Sequence, residues 1–243
     1  GFQRIGDLAW AAGDSRSRGF LLGATAGRTT LNGEGLQHED GHSHLLSATI
    51  PNCISYDPCF SYELAVIIQN GLERMIKNQE DVFYYITIMN ENYTHPEMPK
   101  NINEDIIKGI YKYSENKAKG PKVQLMGSGV ILREVIEAAS ILEKDFNVSS
   151  TIFSVTSFTE VRRNALDIQR WNMLNPDKTE KKSTLDEIIV DLESPIITAT
   201  DYMKSFAEQI ATFLPNKFIS LGTDGFGRSD SREALRDFFE VDR

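Results

Sequence analysis

Short β-forming segments alternate with helix-forming segments along most of this chain, and this alternation restricts its fold more than any other feature. The strand-like segments are rich in β-branched and aromatic residues and are apolar enough to be buried. They read FLLGAT, NCISY, DVFYYITI, VQLMGSG, TIFSVTSF, PIITAT and FISLGT. Strands separated by helices form mainly parallel sheets. The pattern therefore predicts an α/β fold with a mainly parallel sheet.

Between these strands, apolar residues recur three and four positions apart, which gives a helix one buried face. Helices are predicted over residues 2–12, 131–144, 201–214 and 231–239. Another helix is expected to begin at Asp57 and Pro58, with the aspartate as N-cap and the proline in the first turn. The polar stretch SENKAKGPK interrupts the alternation. We place a domain boundary there, with a first domain at 1–115 and a second at 116–243.

Composition narrows the class of protein. The chain has 243 residues, of which 40% are hydrophobic and 25% charged, so it can bury a core. Its net charge is −9 and it has no basic stripe, which argues against a nucleic-acid partner. No apolar run approaches the roughly 18 residues of a membrane span. The only cysteines, Cys53 and Cys59, form no C-x-x-C site, and we expect a reduced, cytoplasmic setting.

The first methionine is Met75, and the chain opens directly on helix-forming sequence. We therefore expect the chain to be a piece of a longer polypeptide.

The segment GEGLQHEDGHSH, residues 33–44, contains three of the four histidines of the chain within seven positions. They are His38, His42 and His44, and they lie beside Glu34 and Asp40. The segment follows a predicted strand, and ligands of parallel sheets bind at the carboxyl ends of strands. A metal site, a proton-handling site and a loop whose histidines bind backbone are all consistent with this composition.

A zinc site would use the three histidines with Asp40, but all of these lie on one loop, whereas zinc ligands usually come from rigid elements and often include cysteine. Glycine lets the backbone approach a ligand closely, and histidine exchanges a proton near neutral pH. These properties favour a proton-handling site. Two other glycine turns, GSGVIL and TDGFGR, lack the further residues of a dinucleotide or diphosphate motif and are interpreted as structural.

The string GRTTLNGEGLQHEDGHSH, followed by IPNCISYDP, resembles the thiamine-dependent component of pyruvate dehydrogenase of the homodimeric bacterial type, in the transketolase-like superfamily. Further segments match the pattern of that family in the expected order over essentially the whole chain. They are FQRIGDLAWAAGDSR, YYITIMNENY, VQLMGSG, SVTSFTE, RWNMLNP, DYMK and LGTDGFGRSDSRE.

The resemblance implies that the first domain is the C-terminal part of the pyrimidine-type thiamine-binding domain. The second domain would be the transketolase C-terminal-like domain, which supports the dimer and binds no cofactor. The GDG…N magnesium motif and the glutamate that activates thiamine would both lie upstream of Gly1. We therefore expect a C-terminal fragment that binds no cofactor and is inactive by itself.

For the full-length parent, the resemblance implies a cytoplasmic homodimer in a multienzyme complex. It would decarboxylate pyruvate with thiamine diphosphate and magnesium, and reductively acetylate the lipoyl group of dihydrolipoyl acetyltransferase. His38 matches the active-site histidine of the family, Glu34 and Asp40 belong to its loop, and His44 matches the histidine of the shared EDGxxH text. No metal ligand is implied. Two alternatives remain: a non-catalytic dimerisation or assembly module, and a zinc-binding module at His38, His42 and His44.

Overall fold

A computed structural model describes residues 2–24, 27–30 and 39–243, and they form two α/β units. The first unit contains a three-stranded sheet and the second a five-stranded sheet, and only one of these strands runs antiparallel to its neighbour. The predicted α/β fold with mainly parallel sheets is confirmed.

The first unit consists of α1 (Phe2–Asp14), β1 (Phe20–Ala24), α2 (Ser43–Ser47), β2 (Cys53–Tyr56), α3 (Ser61–Leu72), a π-helical turn (Glu73–Lys77), β3 (Phe83–Ile88) and α4 (Asn103–Lys108). Its strands are parallel in the order β1-β3-β2. The central strand β3 reads FYYITI, a run of β-formers, and all but its last residue are buried. The central position of β3 therefore follows from its composition.

The second unit consists of β4 (Tyr111–Glu115), β5 (Lys122–Gly127), α5 (Ile131–Phe146), β6 (Ser149–Ser154), α6 (Phe158–Leu174), α7 (Thr184–Ile188), β7 (Ile196–Ala199), α8 (Ser205–Glu208), a 3₁₀ turn (Ala211–Phe213), β8 (Phe218–Leu221) and α9 (Arg232–Phe239). The strand order is β4-β6-β5-β7-β8, with β4 antiparallel to β6. Helix α5 buries Ile131, Leu132, Val135 and Ala139 on one face, as its periodicity predicts.

Two predicted helices are wrong in detail. Asp57 does not cap a helix, because α3 begins at Ser61 after an extended Phe60, and Glu63 accepts the backbone N–H groups of Cys59 and Phe60. Residues 201–214 do not form one helix but the four-residue α8 and a 3₁₀ turn. Both errors concern aspartates, Asp57 and Asp201, that follow strands directly and are buried. Their carboxyl groups contact the neighbouring unit instead of solvent.

The two units meet at the carboxyl ends of their strands. The backbone N–H of Asp57, just after β2, donates to the carbonyl of Thr156, just after β6, at 2.8 Å. The N–H of Gly129, just after β5, donates to the carbonyl of Asp57 at 3.0 Å. Strand β4 belongs to the second sheet although it precedes residue 116. The division of the chain into domains at 115 and 116 stays a prediction.

Candidate active site

The candidate site lies where the carboxyl ends of the two sheets face each other. Of the predicted site residues, Asp40 and His44 are described, whereas Glu34 and His38 lie outside the described residues. Residues 27–30 and 39–44 flank that segment, and we call these two ranges the stems. Every residue of the first stem is buried, and so are Glu39, Gly41, Ser43 and His44 of the second.

His44 is fully buried at the start of α2. Its Nε2 lies 3.0 Å from Thr87 Oγ1, and that hydroxyl donates its proton to Asp57 Oδ1 at 2.6 Å. With that proton donated, the threonine oxygen accepts the N–H of His44 Nε2. Nδ1 has no partner among the described residues and can accept a hydrogen bond.

Aromatic rings of the second unit surround the same imidazole. The Phe206 ring stacks on it with centroids 4.8 Å apart, and the Tyr202 ring meets it edge-on at 4.7 Å. Burial lowers the pKa of His44 to about 4, which keeps the ring neutral near pH 7. Near pH 7 the imidazole of His44 is therefore neutral, with its Nε2 fixed on Thr87.

Asp40 holds the backbone that enters α2. Its Oδ1 accepts the N–H groups of His42 and Ser43, both at 3.0 Å. A carboxylate that accepts successive N–H groups fixes a turn at a helix start. The described contacts of Asp40 are thus within the loop.

Arg28 was not singled out from the sequence, although it is one of the most buried side chains of the described residues. It donates through one terminal nitrogen to the carbonyl of Thr223, after β8, and the other lies 3.3 Å from Nδ1 of His42. Its Nε has no partner among the described residues. Burial lowers the pKa of Arg28, and the charges of Asp201, Asp40, Asp224 and Glu39 oppose that effect.

Two more buried carboxylates were also missed. Asp201 accepts the backbone N–H of Thr29 at 3.2 Å, and burial raises its pKa to about 7. Glu39 accepts the backbone N–H of Arg228, and burial raises its pKa as well. For Asp201 the available signal was position, because it directly follows a predicted strand, where functional groups of parallel sheets gather. Glu39 lies within the histidine-rich segment but was not among the predicted site residues.

The rings of His42 and His44 already have neighbours that do not suit a zinc ligand. An arginine nitrogen faces Nδ1 of His42, and Thr87 accepts from Nε2 of His44. Within the described ranges, no group of three or more His, Cys, Asp or Glu side chains could hold a metal ion. No helix of these ranges is long and apolar enough to cross a membrane.

Two protein families match the two units. Residues 1–96 match the pyruvate dehydrogenase E1 component middle domain, and residues 109–242 match the transketolase-like C-terminal domain. The second match covers more than half of the chain. The chain therefore belongs to the transketolase-like family.

Comparison with individual curated proteins defines the similarity of this chain more narrowly than the domain families do. The chain is 61% identical over 245 residues to the pyruvate dehydrogenase E1 component of Pseudomonas aeruginosa, and 59% identical over 245 residues to that of Cupriavidus necator. It is 60% identical over 244 residues to that of Escherichia coli. In each case all of this chain aligns, and it spans only 27–28% of the relative's length. The resemblance predicted from the sequence is confirmed.

Solved structures share the fold at much lower identity. A transketolase from Campylobacter jejuni superposes with a TM-score of 0.72 at 16% identity, covering 99% of this chain and 32% of its own. A transketolase variant from Pichia stipitis gives 0.72 at 15% identity, covering 99% and 30%. The arrangement of both units is thus that of a segment of transketolases.

Proposed function

We propose that this chain is a C-terminal part of a thiamine-dependent pyruvate dehydrogenase component. The parent would decarboxylate pyruvate and acetylate the lipoyl group of dihydrolipoyl acetyltransferase, as a cytoplasmic homodimer. One observation carries this proposal: the two stems, which precede and follow the segment with Glu34 and His38 in the sequence, are buried at the carboxyl ends of two mainly parallel sheets. The identity of about 60% to pyruvate dehydrogenase E1 components over the whole chain supports the choice of reaction.

His38 is the proposed proton-handling residue of this segment. A histidine that exchanges a proton with the substrate oxygen typically contributes about 10²–10⁴-fold to the rate. Glu34 is proposed to act in the same loop. The described contacts give Asp40 and His44 a different part in the proposal, because Asp40 fixes the loop backbone and neutral His44 offers Nδ1 as an acceptor.

The described residues do not fit the diphosphate and magnesium of the cofactor. Asp57 and Asp201 are buried here, and Asp40 lies at the same edge. Carboxylates repel a diphosphate, and no described cluster suits a metal ion. We therefore assign no cofactor ligand to this chain and propose that the ligands of thiamine diphosphate and magnesium lie upstream of Gly1.

The cofactor supplies the electron sink for decarboxylation. The part proposed for this chain is to hold the stems of the His38 segment, to exclude water around the stems and to present neutral hydrogen-bonding groups. Buried aromatic neighbours such as Tyr202 and Phe206 exclude water around the stems. Electrostatic effects are stronger in such surroundings than in water.

The direct test uses the purified full-length parent. We expect release of carbon dioxide from pyruvate that requires added thiamine diphosphate and magnesium, and transfer of acetyl to a lipoyl domain. The 243-residue chain assayed beside it should show no turnover. Absence of cofactor-dependent turnover with pyruvate in the parent would contradict the proposal. Turnover by the chain alone would contradict the expectation that this part of the protein is inactive by itself. Zinc near one equivalent per chain would favour the zinc-binding alternative.

A further inference from the structure

Both stems of the His38 segment are attached to the second unit, which contributes no residue to the predicted site. Three contacts hold the first stem: Arg28 donates to the carbonyl of Thr223, the N–H of Thr29 donates to Asp201, and Arg232 Nε donates to the carbonyl of Thr30 at 2.6 Å. Two elements of the second unit, residues 201–206 and 223–232, provide the partners.

The second stem is attached to the same two elements. The N–H of Met203 donates to the carbonyl of Gly41 at 3.0 Å, and the N–H of Arg228 donates to Glu39. His44 packs between the rings of Tyr202 and Phe206. The two stems, which precede and follow residues 31–38 in the sequence, are therefore held by one surface of the second unit.

The side chain of Arg28 contacts both the second unit and the other stem. Its guanidinium reaches Thr223 and also His42, and it packs directly against Gly41. A Cβ at Gly41 would lie 2.2 Å from Arg28 Nε, so no larger residue fits there without displacement. The planar guanidinium has several donors in fixed directions, which suits it to join three groups at once.

We propose that Arg28 is a positioning residue, which fixes the separation and direction of the two stems and so supports the reaction that the proposed function assigns to His38. This inference rests on the proposed function, because it assigns Arg28 a role in that reaction. A buried arginine whose Nε has no partner among the described residues lowers stability when stability is considered by itself. Retention of such a group is explained if the geometry that it imposes is needed for turnover.

A second arginine provides a matched control. Arg163, on α6, also joins the two units through a backbone carbonyl, because it donates to Ile50 at 3.3 Å while pairing with Glu160 at 2.7 Å. Neither Ile50 nor Glu160 belongs to a stem. Loss of Arg163 should therefore remove a contact of the same kind between the units without changing the stems.

The experiment compares Arg28→Ala, Arg28→Lys and Arg163→Ala in the full-length parent, with kcat, KM for pyruvate, thermal midpoint and amide hydrogen exchange as readouts. We expect Arg28→Ala to lower kcat at least tenfold while KM changes less than threefold. Exchange in peptides covering residues 27–44 should become faster. Arg28→Lys should lie between wild type and Arg28→Ala, because lysine keeps the charge and one donor.

Arg163→Ala should keep kcat within twofold and leave exchange in those peptides unchanged, even where its thermal midpoint falls by as much as that of Arg28→Ala. Equal losses of kcat in both alanine variants would overturn the proposal, as would unchanged exchange over residues 27–44 in Arg28→Ala. If the wild-type parent does not turn over pyruvate, the proposed function fails, and the exchange measurement still decides whether Arg28 fixes the stems.

Discussion

Two buried polar regions join the units of this protein, and they are built differently. In one, which we call the ionic network, Glu91 pairs with Arg133 at 2.8 Å and with Arg236 at 2.9 Å, and Glu134 pairs with Arg236 at 2.9 Å and Arg243 at 2.7 Å. Each carboxylate there has two cationic partners. In the stem region, Arg28 contacts a carbonyl and an imidazole, and Asp201 accepts a backbone N–H.

This difference between the two regions predicts which substitutions change stability and which change turnover. In the ionic network both carboxylates are paired, although Nε of Arg236 has no partner among the described residues, and breaking a pair leaves a buried charge behind. The stem region leaves polar atoms without partners among the described residues, including His44 Nδ1, Glu39 Oε1 and Arg28 Nε. Such groups in a native protein call for an explanation, and a bound ligand or a reaction is one of them. We therefore expect substitutions in the ionic network to change stability alone, and substitutions in the stems to change turnover.

The largest change in stability is expected from Glu134→Ala. Glu134 is buried, and its loss leaves Arg236, itself only 11% exposed, without one of its two carboxylates. The free energy of unfolding should fall by about 3 kcal/mol. Chemical denaturation of the chain measures this fall, and kcat of the full-length variant should stay within twofold. A tenfold loss of kcat without loss of stability would reverse the roles assigned to the two regions.

His44 should make stability depend on pH. Its folded-state pKa is about 4 and its ordinary value is 6.5, so the unfolded chain binds more protons between these values. The associated stability is fully present above pH 6.5 and is lost as pH falls through 4, by about 3 kcal/mol in total. His44→Gln should lack this loss.

The measurement is the difference in unfolding free energy between wild type and His44→Gln at pH 7.5, 6 and 4.5. The difference is needed because Asp57 and Asp201 act in the opposite direction. Their folded-state pKa values are raised to about 6 and about 7, so their ionisation lowers stability as pH rises. A difference that is constant across the three pH values would show that His44 is not held neutral by burial.

Gly41→Ala tests the close packing of the stems. The added methyl group would overlap the Arg28 guanidinium, and overpacking of this kind costs about 1–3 kcal/mol. Because Arg28 must move, kcat of the full-length variant should also fall. Thermal unfolding and steady-state kinetics check the two effects, and normal stability together with normal kcat would show that the stems tolerate displacement.

The smallest effect is expected from Gly6→Ala, because Gly6 lies in α1 and belongs to neither region. A Cβ at Gly6 meets nothing within 4 Å, and alanine favours helix over glycine by roughly 0.5–1 kcal/mol. Thermal unfolding should show a small gain, with kcat unchanged. A loss of stability in Gly6→Ala would contradict the open space found around this position.

Much of the fold could be predicted because local composition and the final structure agree. The segment FYYITI favours a strand wherever it is placed, and the apolar face of residues 131–144 needs a sheet to pack on. The strand β4 was missed because only the first residue of YKYSE is fully buried and because the segment lies at a sheet edge in a polar region of the sequence. The single helix predicted over residues 201–214 does not form, because Asp201 and Tyr202 are buried at the contact with the first unit.

Only those site residues that lie within one short segment could be predicted from the sequence. Residues 33–44 stood out through their histidines, although their catalytic roles stay predictions. Arg28 and Asp201 are 173 positions apart and meet only after two sheets have formed. No pattern within a short window shows such a pair, since the information lies in the topology that brings strand ends together.

The most direct measurement of the central claim is the rate of carbon dioxide release from pyruvate by full-length His38→Ala, with Glu134→Ala as the comparison. The proposed active site at the stems predicts a rate about 10²–10⁴-fold below wild type for His38→Ala, with the dimer intact. Glu134→Ala should remain within twofold of wild type although it is less stable. A near-wild-type rate for His38→Ala would contradict the assignment of this edge as part of an active site.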